Sequence, residues 1–378
     1  MRIEGRDPQT GKGMAVEIAN GLIVSVEAHG TAAPHYLASG LIDLQVNGFR
    51  GIDLNDGALT PDAVLKLCRE LASVGVTTWQ PTLITAAESS IVAALAAIAG
   101  ARDQYALASE MIAGVHVEGP SISLMDGPRG AHPVEHVRGP EIAEFERWQL
   151  ASGDLVTMVT LAPEHSGSTD YIRALSERGV HVAIGHTAAT PEEIHAAASA
   201  GACVSTHLGN GAAALLPRHP NFIWAQMADD RLTAGLIADG WHLPADTFKA
   251  MLCAKGEERV VLVSDTVALA GMPAGRYDQP VGGAVEVSPE GRISVAGTPY
   301  LAGASLPLCA NVAIAAQMAS LPLGRALKLA TVNPGRFVGG RGVLEAGARA
   351  DLILFDWNEG DAALIVQETL VAGERVFP

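Results

Sequence analysis

The sequence predicts an α/β fold in which a (β/α)8 TIM-type barrel carries a small β-sandwich domain formed by the N- and C-terminal segments. Short apolar runs alternate with amphipathic helical stretches eight times between residues 40 and 265. Several of these runs end on side chains that can bind a metal or move a proton. The 378 residues are enough for one large domain and one smaller one.

Helices with readable start signals separate the apolar runs. Thr60-Pro61 begins one helix, and Thr190, Pro191 and Glu193 have the pattern of a capping box that begins another. Eight alternations favour a closed barrel over an open doubly wound sheet. Helices are also expected at about 305–319 and 322–331. The barrel strands are expected at 40–45, 77–84, 111–118, 155–161, 181–186, 203–208, 232–239 and 260–265.

The two flanks predict the smaller domain. The alternating stretches MAVEIA and LIVSVEA meet at Asn20-Gly21, a strong signal for a β-hairpin. Short strand-like runs with glycine-rich turns return near the C-terminus. We therefore expect a β-sandwich domain from residues 1–39 and 341–378, and a barrel domain from residues 40–340. The glycine-rich stretch after Asp265 is expected to contain a further hairpin.

Composition excludes several classes of partner. The chain has 25 Lys and Arg against 41 Asp and Glu, a net charge of −16, and such a surface repels nucleic acid and anionic membranes. No apolar run reaches the roughly 18 residues of a transmembrane helix, and no apolar segment follows the first positive charges. A cytoplasmic location is expected. Four separated cysteines are expected to be small core residues: Cys68, Cys203, Cys253 and Cys309.

Polar side chains at the strand ends predict the functional site. The carboxyl ends of barrel strands meet at one rim, where such folds place their chemistry. A single polar strand end is ordinary, but a ring of them is hard to explain by loop solvation. The strand-end residues are Gln45, Glu118, His186, His207, Asp239 with His242 close behind, and Asp265.

Three of these residues predict a metal site. Glu118, His186 and His207 offer one carboxylate and two imidazoles with an open position, a common arrangement for a catalytic divalent cation that activates water. Each histidine alone could be a hydrogen-bonded rim residue, so the prediction depends on the three together. Asp265 could accept a proton from the activated water and return it to a leaving group. Its alternative is an N-cap or loop acid.

The motifs resemble those of a known family. The sequence is similar to the N-acetylglucosamine-6-phosphate deacetylases of the amidohydrolase superfamily. The resemblance implies metal-dependent hydrolysis of the acetamide of N-acetyl-D-glucosamine 6-phosphate to glucosamine 6-phosphate and acetate. The matching stretches, in order, are GLIDLQVNG, HVEGP, GHTAAT, THLGNGAA, GLIADGWH, LVSDT, LAGAS and ATVNPGRFVG.

The resemblance also assigns roles to individual residues. It implies that Glu118, His186 and His207 are the metal ligands, and that Asp265 is the catalytic acid and base. Arg218 matches an arginine that reaches from the partner subunit of a homodimer to hold the phosphate. Other implied substrate contacts are His132 near the acetamide, Asn210, Gly211 and His242 on the sugar phosphate, and the closing loop of Leu301, Ala302 and Gly303.

Gln45 and Asn47 bear on the number of metals. Relatives with two metals have a His-x-His pair here, and the amide oxygens of this chain are weak ligands by comparison. The sequence therefore predicts one divalent ion per subunit, first zinc, with Fe2+, Mn2+ or Co2+ as alternatives. The two amides are expected to fill the vacated space.

Departures from the family pattern leave other functions open. Gly209 and Gly211 stand where common members carry bulkier residues, and LPRHP replaces a Gly-Arg-Glu-Pro-like turn. The alternatives are a deacetylase of another N-acetylhexosamine phosphate, such as N-acetylgalactosamine 6-phosphate, an unphosphorylated N-acetyl sugar, or an N-acyl amino acid. A non-catalytic barrel that binds a sugar phosphate is the alternative from another class. Cyclic-amide hydrolysis is disfavoured because no lysine ends a barrel strand.

Overall fold

Two large sheets organise the chain in a computed structural model that describes residues 1–30, 33–279, 283–298 and 300–378. Eight parallel strands form the barrel, and a seven-stranded sheet contains strands from both ends of the chain. This arrangement confirms the predicted fold class. The domain boundaries after residues 39 and 340 stay a prediction.

Strands are numbered in chain order. The first four are β1 (Arg2–Arg6), β2 (Gly13–Ala19), β3 (Leu22–His29) and β4 (Tyr36–Ser39). The next ten are β5 (Leu41–Val46), β6 (Gly48–Phe49), β7 (Ile52–Asp53), β8 (Val76–Ile84), β9 (Val115–Glu118), β10 (Val156–Leu161), β11 (His181–Ile184), β12 (Ala202–Ser205), β13 (Thr233–Leu236) and β14 (Val260–Leu262). The last six are β15 (Gly275–Gln279), β16 (Gly283–Val287), β17 (Ile293–Val295), β18 (Leu352–Asp356), β19 (Ile365–Val371) and β20 (Glu374–Phe377).

Helices cover the outside of the barrel between its strands. None of the helices in the described part of the chain is long and apolar enough to cross a bilayer. The helices are α1 (Pro61–Ala72), α2 (Glu88–Gln104), α3 (Ala106–Met111), α4 (Ile142–Ser152), α5 (Ser168–Glu177), α6 (Pro191–Ala200), α7 (Phe222–Ala228), α8 (Ala245–Lys255), α9 (Leu308–Ala319), α10 (Leu323–Lys328) and α11 (Val332–Gly335).

The terminal sheet has the strand order β20-β19-β18-β4-β1-β2-β3. The β2–β3 hairpin turns at Asn20 (φ 51°) and Gly21 (φ 75°), which confirms the predicted turn. β18 runs antiparallel to β4, with Leu352 opposite Ser39, and this pairing joins the two ends of the chain. The sheet buries its own apolar cluster, which includes Val16, Ile23, Leu37, Leu352 and Leu370.

The barrel strands follow the order β5-β8-β9-β10-β11-β12-β13-β14, and every neighbouring pair is parallel. All eight predicted strands are present, but some bounds differ. The prediction of a strand from residue 111 is wrong at its start, because α3 runs to Met111 and β9 begins at Val115. Strands β11, β12 and β14 end two or three residues before His186, His207 and Asp265, which therefore lie on the loops beyond them.

A chain of polar side chains crosses the barrel interior below the rim. His116 lies two residues before Glu118 on β9, and its Nε2 is 2.7 Å from the Thr160 hydroxyl. The Thr160 and Thr206 hydroxyls are 2.7 Å apart. Burial lowers the pKa of His116 to about 4, so the neutral ring donates from Nδ1 to the Leu44 carbonyl and accepts from Thr160. These hydrogen bonds link β5, β9 and β10 with Thr206, which directly follows β12.

The side chain of Asp43 helps to close the barrel between β14 and β5. The Asp265 N–H donates to the Gln45 carbonyl (2.9 Å). Alongside it, the Asp43 carboxylate accepts hydrogen bonds from the N–H groups of Ser264 (3.1 Å) and Gln45 (3.3 Å). Asp43, Gln45 and Ser264 are all buried, so the two bonds to the Asp43 carboxylate are shielded from water.

Replacing Asp43 by alanine should destabilise the protein. The change leaves two buried N–H groups without acceptors, so we expect the free energy of unfolding to fall by about 2–5 kcal/mol. Urea denaturation followed by circular dichroism measures the change. Asp43→Asn is the matched control, because its side-chain oxygen can still accept both bonds. An alanine variant as stable as the parent would contradict this role.

Two smaller predictions have mixed outcomes. Cys68 and Cys309 are buried and unpaired, but Cys253 is exposed, so its assignment to the core is wrong. Cys253 lies on the outer side of α8, whose inner side buries residues such as Phe248 and Leu252. The predicted hairpin after Asp265 is present as the antiparallel strands β15, β16 and β17. Its residues 280–282 and 299 lie outside the described ranges.

Candidate active site

Glu118, His186 and His207 meet at the C-terminal rim of the barrel, as predicted. Their ligand atoms all lie within 4.8 Å of one another. The Glu118 Oε1 is 3.1 Å from His207 Nε2 and 3.4 Å from His186 Nε2. All three side chains are buried. The three residues are thus close enough to bind one cation jointly, and they are shielded from bulk water.

The hydrogen bond on the far side of His186 shows that this residue suits a metal. Its Nδ1 is 2.9 Å from the Pro128 carbonyl, which can only accept, so Nδ1 carries the proton. The lone pair is then on Nε2, the nitrogen that faces Glu118. A carbonyl that fixes the ring tautomer in this way is the usual partner of a metal-binding histidine. The donor set therefore fits a divalent cation.

The cluster favours positive charge. Burial raises the pKa of Glu118, but the neighbouring imidazoles of His186 and His207 outweigh that effect and hold the pKa well below its usual range. Burial lowers the pKa of His207, and the hydrogen bond to Glu118 more than reverses this, to about 9. A cation between these three residues would supply the charge that the carboxylate attracts.

Three residues of the site have left-handed backbone conformations. The φ angles are 49° at His186, 24° at His207 and 50° at Asp265. A non-glycine residue in this region costs about 1–3 kcal/mol. Each of the three lies just beyond the end of its strand, where the left-handed residue turns the chain at the rim.

Gln45 and Asn47 bind the two carboxylates of the site. The Gln45 amide donates to Glu118 Oε1 (3.0 Å), and the Asn47 amide donates to Asp265 Oδ1 (2.8 Å). Burial raises the pKa of Asp265 to about 6. The two amides therefore act as hydrogen-bond donors to the carboxylates of the site.

His132 reaches the site from the long loop after β9. Its ring packs edge-on against that of His186, with the centroids 4.3 Å apart. Its Nδ1 is 2.8 Å from the hydroxyl of Thr85. Burial, and then the neighbouring His186, lower the pKa of His132 to about 3, so the ring is neutral.

Asn210, Gly211 and His242 lie around the same opening. The His242 Nδ1 is 2.6 Å from the buried Asp239 carboxylate, whose pKa is lowered chiefly by that hydrogen bond against the effect of burial. Asn210 donates its amide to the His207 carbonyl (3.3 Å). Gly211 lies against His186, since a Cβ at residue 211 would be 2.7 Å from Nδ1. Any side chain here would displace the imidazole.

The loop residues Leu301 to Gly303 lie beside the strand end that carries Asp265. The Val267 N–H donates to the Ala304 carbonyl (3.1 Å), and a Cβ on Gly303 would be 2.5 Å from the Val267 side chain.

Arg218 is exposed, and it has no hydrogen bond or ion pair with any residue in the described ranges. The structure thus places Gln45, Asn47, His132, Asn210, Gly211 and His242 around Glu118, His186, His207 and Asp265, whereas Leu301, Ala302 and Gly303 contact Ser294, Ile293 and Val267.

Some residues of the site were not identified from the sequence. Thr85 follows directly after β8, so the rule that found Glu118 and His186 could have found it. A hydroxyl there resembles an ordinary cap, however. Asp43 and His116 lie inside apolar runs, and the pattern of those runs predicts only strands. Their alternation with apolar neighbours is the signal that each could have given.

A (β/α)8 barrel with a buried Glu-His-His cluster at its rim defines a barrel hydrolase able to bind a metal. The chain matches the amidohydrolase family over residues 36–376. It therefore belongs to the amidohydrolase family, whose members depend on metals, and it is a hydrolase of amide C–N bonds.

Comparisons with individual proteins find deacetylases of N-acetylhexosamine 6-phosphates. The chain is 35% identical to the N-acetylgalactosamine-6-phosphate deacetylase of Escherichia coli O157:H7, over 95% of this chain and 93% of that protein. It is 31% identical to the N-acetylglucosamine-6-phosphate deacetylase of Vibrio furnissii, over 95% and 89%. A mutant N-acetyl-D-glucosamine-6-phosphate deacetylase from Mycobacterium smegmatis, solved with N-acetyl-D-glucosamine 6-phosphate, superposes with a TM-score of 0.85, 32% identity and coverage of 97% and 95%. These similarities agree with the resemblance seen in the sequence.

Proposed function

We propose that the protein hydrolyses the acetamide of N-acetyl-D-glucosamine 6-phosphate to glucosamine 6-phosphate and acetate. The observation that carries the proposal is the buried cluster of Glu118, His186 and His207 with Asp265 beside it. The related deacetylases supply the substrate class. A cytoplasmic location belongs to the same proposal, since the proposed substrate is an anionic sugar phosphate.

One divalent cation per subunit, zinc first, is part of this proposal. Glu118, His186 and His207 would hold it, and the tautomer of His186 supports that assignment. The amides of Gln45 and Asn47 already bond the neighbouring carboxylates, which supports a single ion. The cation supplies Lewis-acid chemistry, which activates water and polarises an amide carbonyl.

Side chains of this protein transfer the proton and stabilise the negative charge that develops on the acetamide oxygen. Asp265 removes a proton from the attacking water, and the Asn47 amide orients its carboxylate. His132 donates a hydrogen bond to the oxyanion that develops on the acetamide carbonyl. Asp265 then returns the proton to the departing nitrogen, so that acetate and the free amine leave.

The remaining polar groups bind the sugar phosphate. His242, held by Asp239, and Asn210 lie at the opening, and Leu301 to Gly303 form a loop beside Asp265 that can close on the sugar. Arg218 has no partner in the described part of its own chain, which supports a role in the neighbouring site of a homodimer. A guanidinium there can bind a phosphate through two parallel hydrogen bonds.

N-acetylgalactosamine 6-phosphate is the second candidate substrate. The relative from Escherichia coli O157:H7, which is named for that substrate, is 35% identical to this chain over nearly its whole length. The two sugars differ only in the orientation of one hydroxyl. The same residues can therefore catalyse either reaction.

An acetate-release assay on a small panel of substrates tests the proposal. The panel is N-acetylglucosamine 6-phosphate, N-acetylgalactosamine 6-phosphate, N-acetylglucosamine and an N-acetyl amino acid. We expect the highest kcat/KM with the first compound. A preference for the second would make N-acetylgalactosamine 6-phosphate the substrate. Turnover of only the last two would overturn the proposal of a sugar-phosphate deacetylase.

Replacing Arg218 by methionine should lower kcat/KM for the phosphorylated sugar by about 10- to 100-fold, because it removes charged hydrogen bonds to the phosphate. Turnover of unphosphorylated N-acetylglucosamine should not change. His219→Ala, at the neighbouring exposed residue, is the matched control. Equal losses on both substrates would contradict a phosphate contact.

Mixing two impaired variants, with the phosphorylated sugar as substrate, tests whether Arg218 acts across a dimer. Arg218→Met subunits and Asp265→Asn subunits are unfolded and refolded together, and their activity is compared with each alone. Half of the dimers then contain one complete site, so activity should return to about a quarter of the parent value. No recovery in dimers that are shown to be mixed would place Arg218 in its own subunit's site.

A further inference from the structure

We propose that Thr85 is a positioning residue that holds His132 in the tautomer with its proton on Nε2. The inference deepens the proposed function, because it rests on His132 as the hydrogen-bond donor to the substrate. The observation behind it is that the Nδ1 atoms of two neighbouring imidazoles contact different groups: that of His186 contacts a carbonyl, which can only accept, and that of His132 contacts a hydroxyl, which can also donate.

The contact between Thr85 and His132 is buried. Thr85 follows β8 and is 1% exposed, and His132 is 5% exposed. The Thr85 hydroxyl is 2.8 Å from His132 Nδ1. In the parts of the chain that the structure describes, this hydroxyl has no other hydrogen-bond partner. The bond to the ring is therefore the one use available for the hydroxyl proton.

The direction of this bond follows from the cost of a buried, unbonded proton. If the hydroxyl accepted from Nδ1–H, its own proton would be buried without an acceptor, which is unfavourable by about 1–3 kcal/mol. If it donates to Nδ1, both the hydroxyl proton and the Nδ1 lone pair are satisfied. The proton of the neutral ring is then on Nε2, so His132 presents an N–H there.

His186 shows the opposite arrangement one ring away. Its Nδ1 faces the Pro128 carbonyl, which can only accept, and so its Nε2 presents a lone pair. A lone pair suits a cation, and an N–H suits an oxyanion. The site thus uses a carbonyl for one imidazole and a hydroxyl for the other.

The backbone of Gly119 leaves room for the hydroxyl. A Cβ at residue 119 would be 2.2 Å from Thr85 Oγ1, and Gly119 has a φ of 90° that disfavours other residues. Any larger residue directly after Glu118 would push the hydroxyl away from His132. The glycine in the sequence HVEGP is therefore explained by the hydroxyl that packs on it.

The tautomer can be measured directly. Long-range ¹H–¹⁵N correlation spectra of the metal-loaded protein, labelled at histidine, distinguish a protonated Nε2 from a protonated Nδ1. His132→Gln identifies the signals. We expect His132 to be protonated at Nε2, and Thr85→Val, which has the same shape without the hydroxyl, to lose that single state. A parent protein with His132 protonated at Nδ1 would overturn the inference, whether or not the variants fold.

Kinetics give the second readout. Thr85→Val should lower kcat for the acetyl sugar phosphate by about 10- to 100-fold, less than the roughly 100- to 1,000-fold cost of removing an oxyanion donor, because His132 stays in place and loses only its fixed tautomer. KM should change little, and Thr85→Ser should rescue kcat. Thr369→Val is the matched control, since Thr369 is also a buried threonine with a hydrogen-bonded hydroxyl, in the terminal sheet. Equal effects of the valine variants at 85 and 369 would mean a structural role only.

The two proposals can fail separately. The spectra need no substrate, so a protein without deacetylase activity that still shows the Thr85-dependent tautomer would overturn the proposed function and support this inference. An active deacetylase in which Thr85→Val changes neither the tautomer nor kcat would overturn this inference and support the proposed function.

Discussion

Replacing Asp265 by asparagine should lower kcat by about a thousandfold or more, within the range of a lost general acid and base. An amide cannot accept a proton from water or deliver one to the leaving nitrogen. The hydrogen bond from Asn47 can persist, because the asparagine oxygen still accepts it. We therefore expect the fold to be unchanged, and acetate release under saturating substrate measures the effect.

Two measurements make this result specific to the proton. The metal content of Asp265→Asn, determined by elemental analysis, should equal that of the parent. Asp170→Asn, at an exposed acid outside the site, should keep full activity. Normal turnover by Asp265→Asn with the metal bound would remove the acid–base role from this residue.

Replacing Glu118 by glutamine should abolish both metal binding and activity. The variant exchanges the only carboxylate between two imidazoles for a neutral amide, so the remaining donors hold a divalent cation far more weakly. We expect less than stoichiometric metal after dialysis and a loss of kcat/KM of about a thousandfold or more, the scale of a lost Lewis acid. His195→Gln, at a half-exposed histidine outside the site, is the matched control.

Removing the metal from the unmodified protein tests the same cluster in another way. A chelator should abolish activity and lower the Tm, because an ion that binds only the folded chain stabilises it. Added zinc should restore both. One equivalent per chain is expected. Two equivalents would contradict the reading of Gln45 and Asn47 as substitutes for a second site, and a fully active metal-free enzyme would overturn the cluster's role.

Much of the fold could be predicted because the barrel repeats one simple pattern. Each parallel strand is buried on both faces and reads as an apolar run, and each helix that follows has its own start signal, such as Thr190 with Glu193. The rim of the barrel then gathers whatever follows the runs. Glu118, His186 and His207 were found in this way without knowledge of any contact between them.

The details at the strand ends could not be predicted from that pattern. His186, His207 and Asp265 turn the chain in left-handed conformations that local propensity disfavours, so the apolar runs suggested strands that were too long. Thr85 has the same position in the pattern, yet a threonine after a strand is too common to stand out. His132 and Arg218 lie in long loops, and only the resemblance to known deacetylases identified them.

The pairing of β4 with β18 makes the active site depend on the last part of the chain. Gly40 alone separates β4 from β5, the strand that presents Gln45, and the Gly40 N–H donates to the Asp351 carbonyl beside β18 (2.9 Å). Proteolytic clipping ahead of Leu352 would therefore fray the entrance to the first barrel strand. Such a cut would disturb catalysis from the opposite end of the molecule, without removing a single residue of the rim.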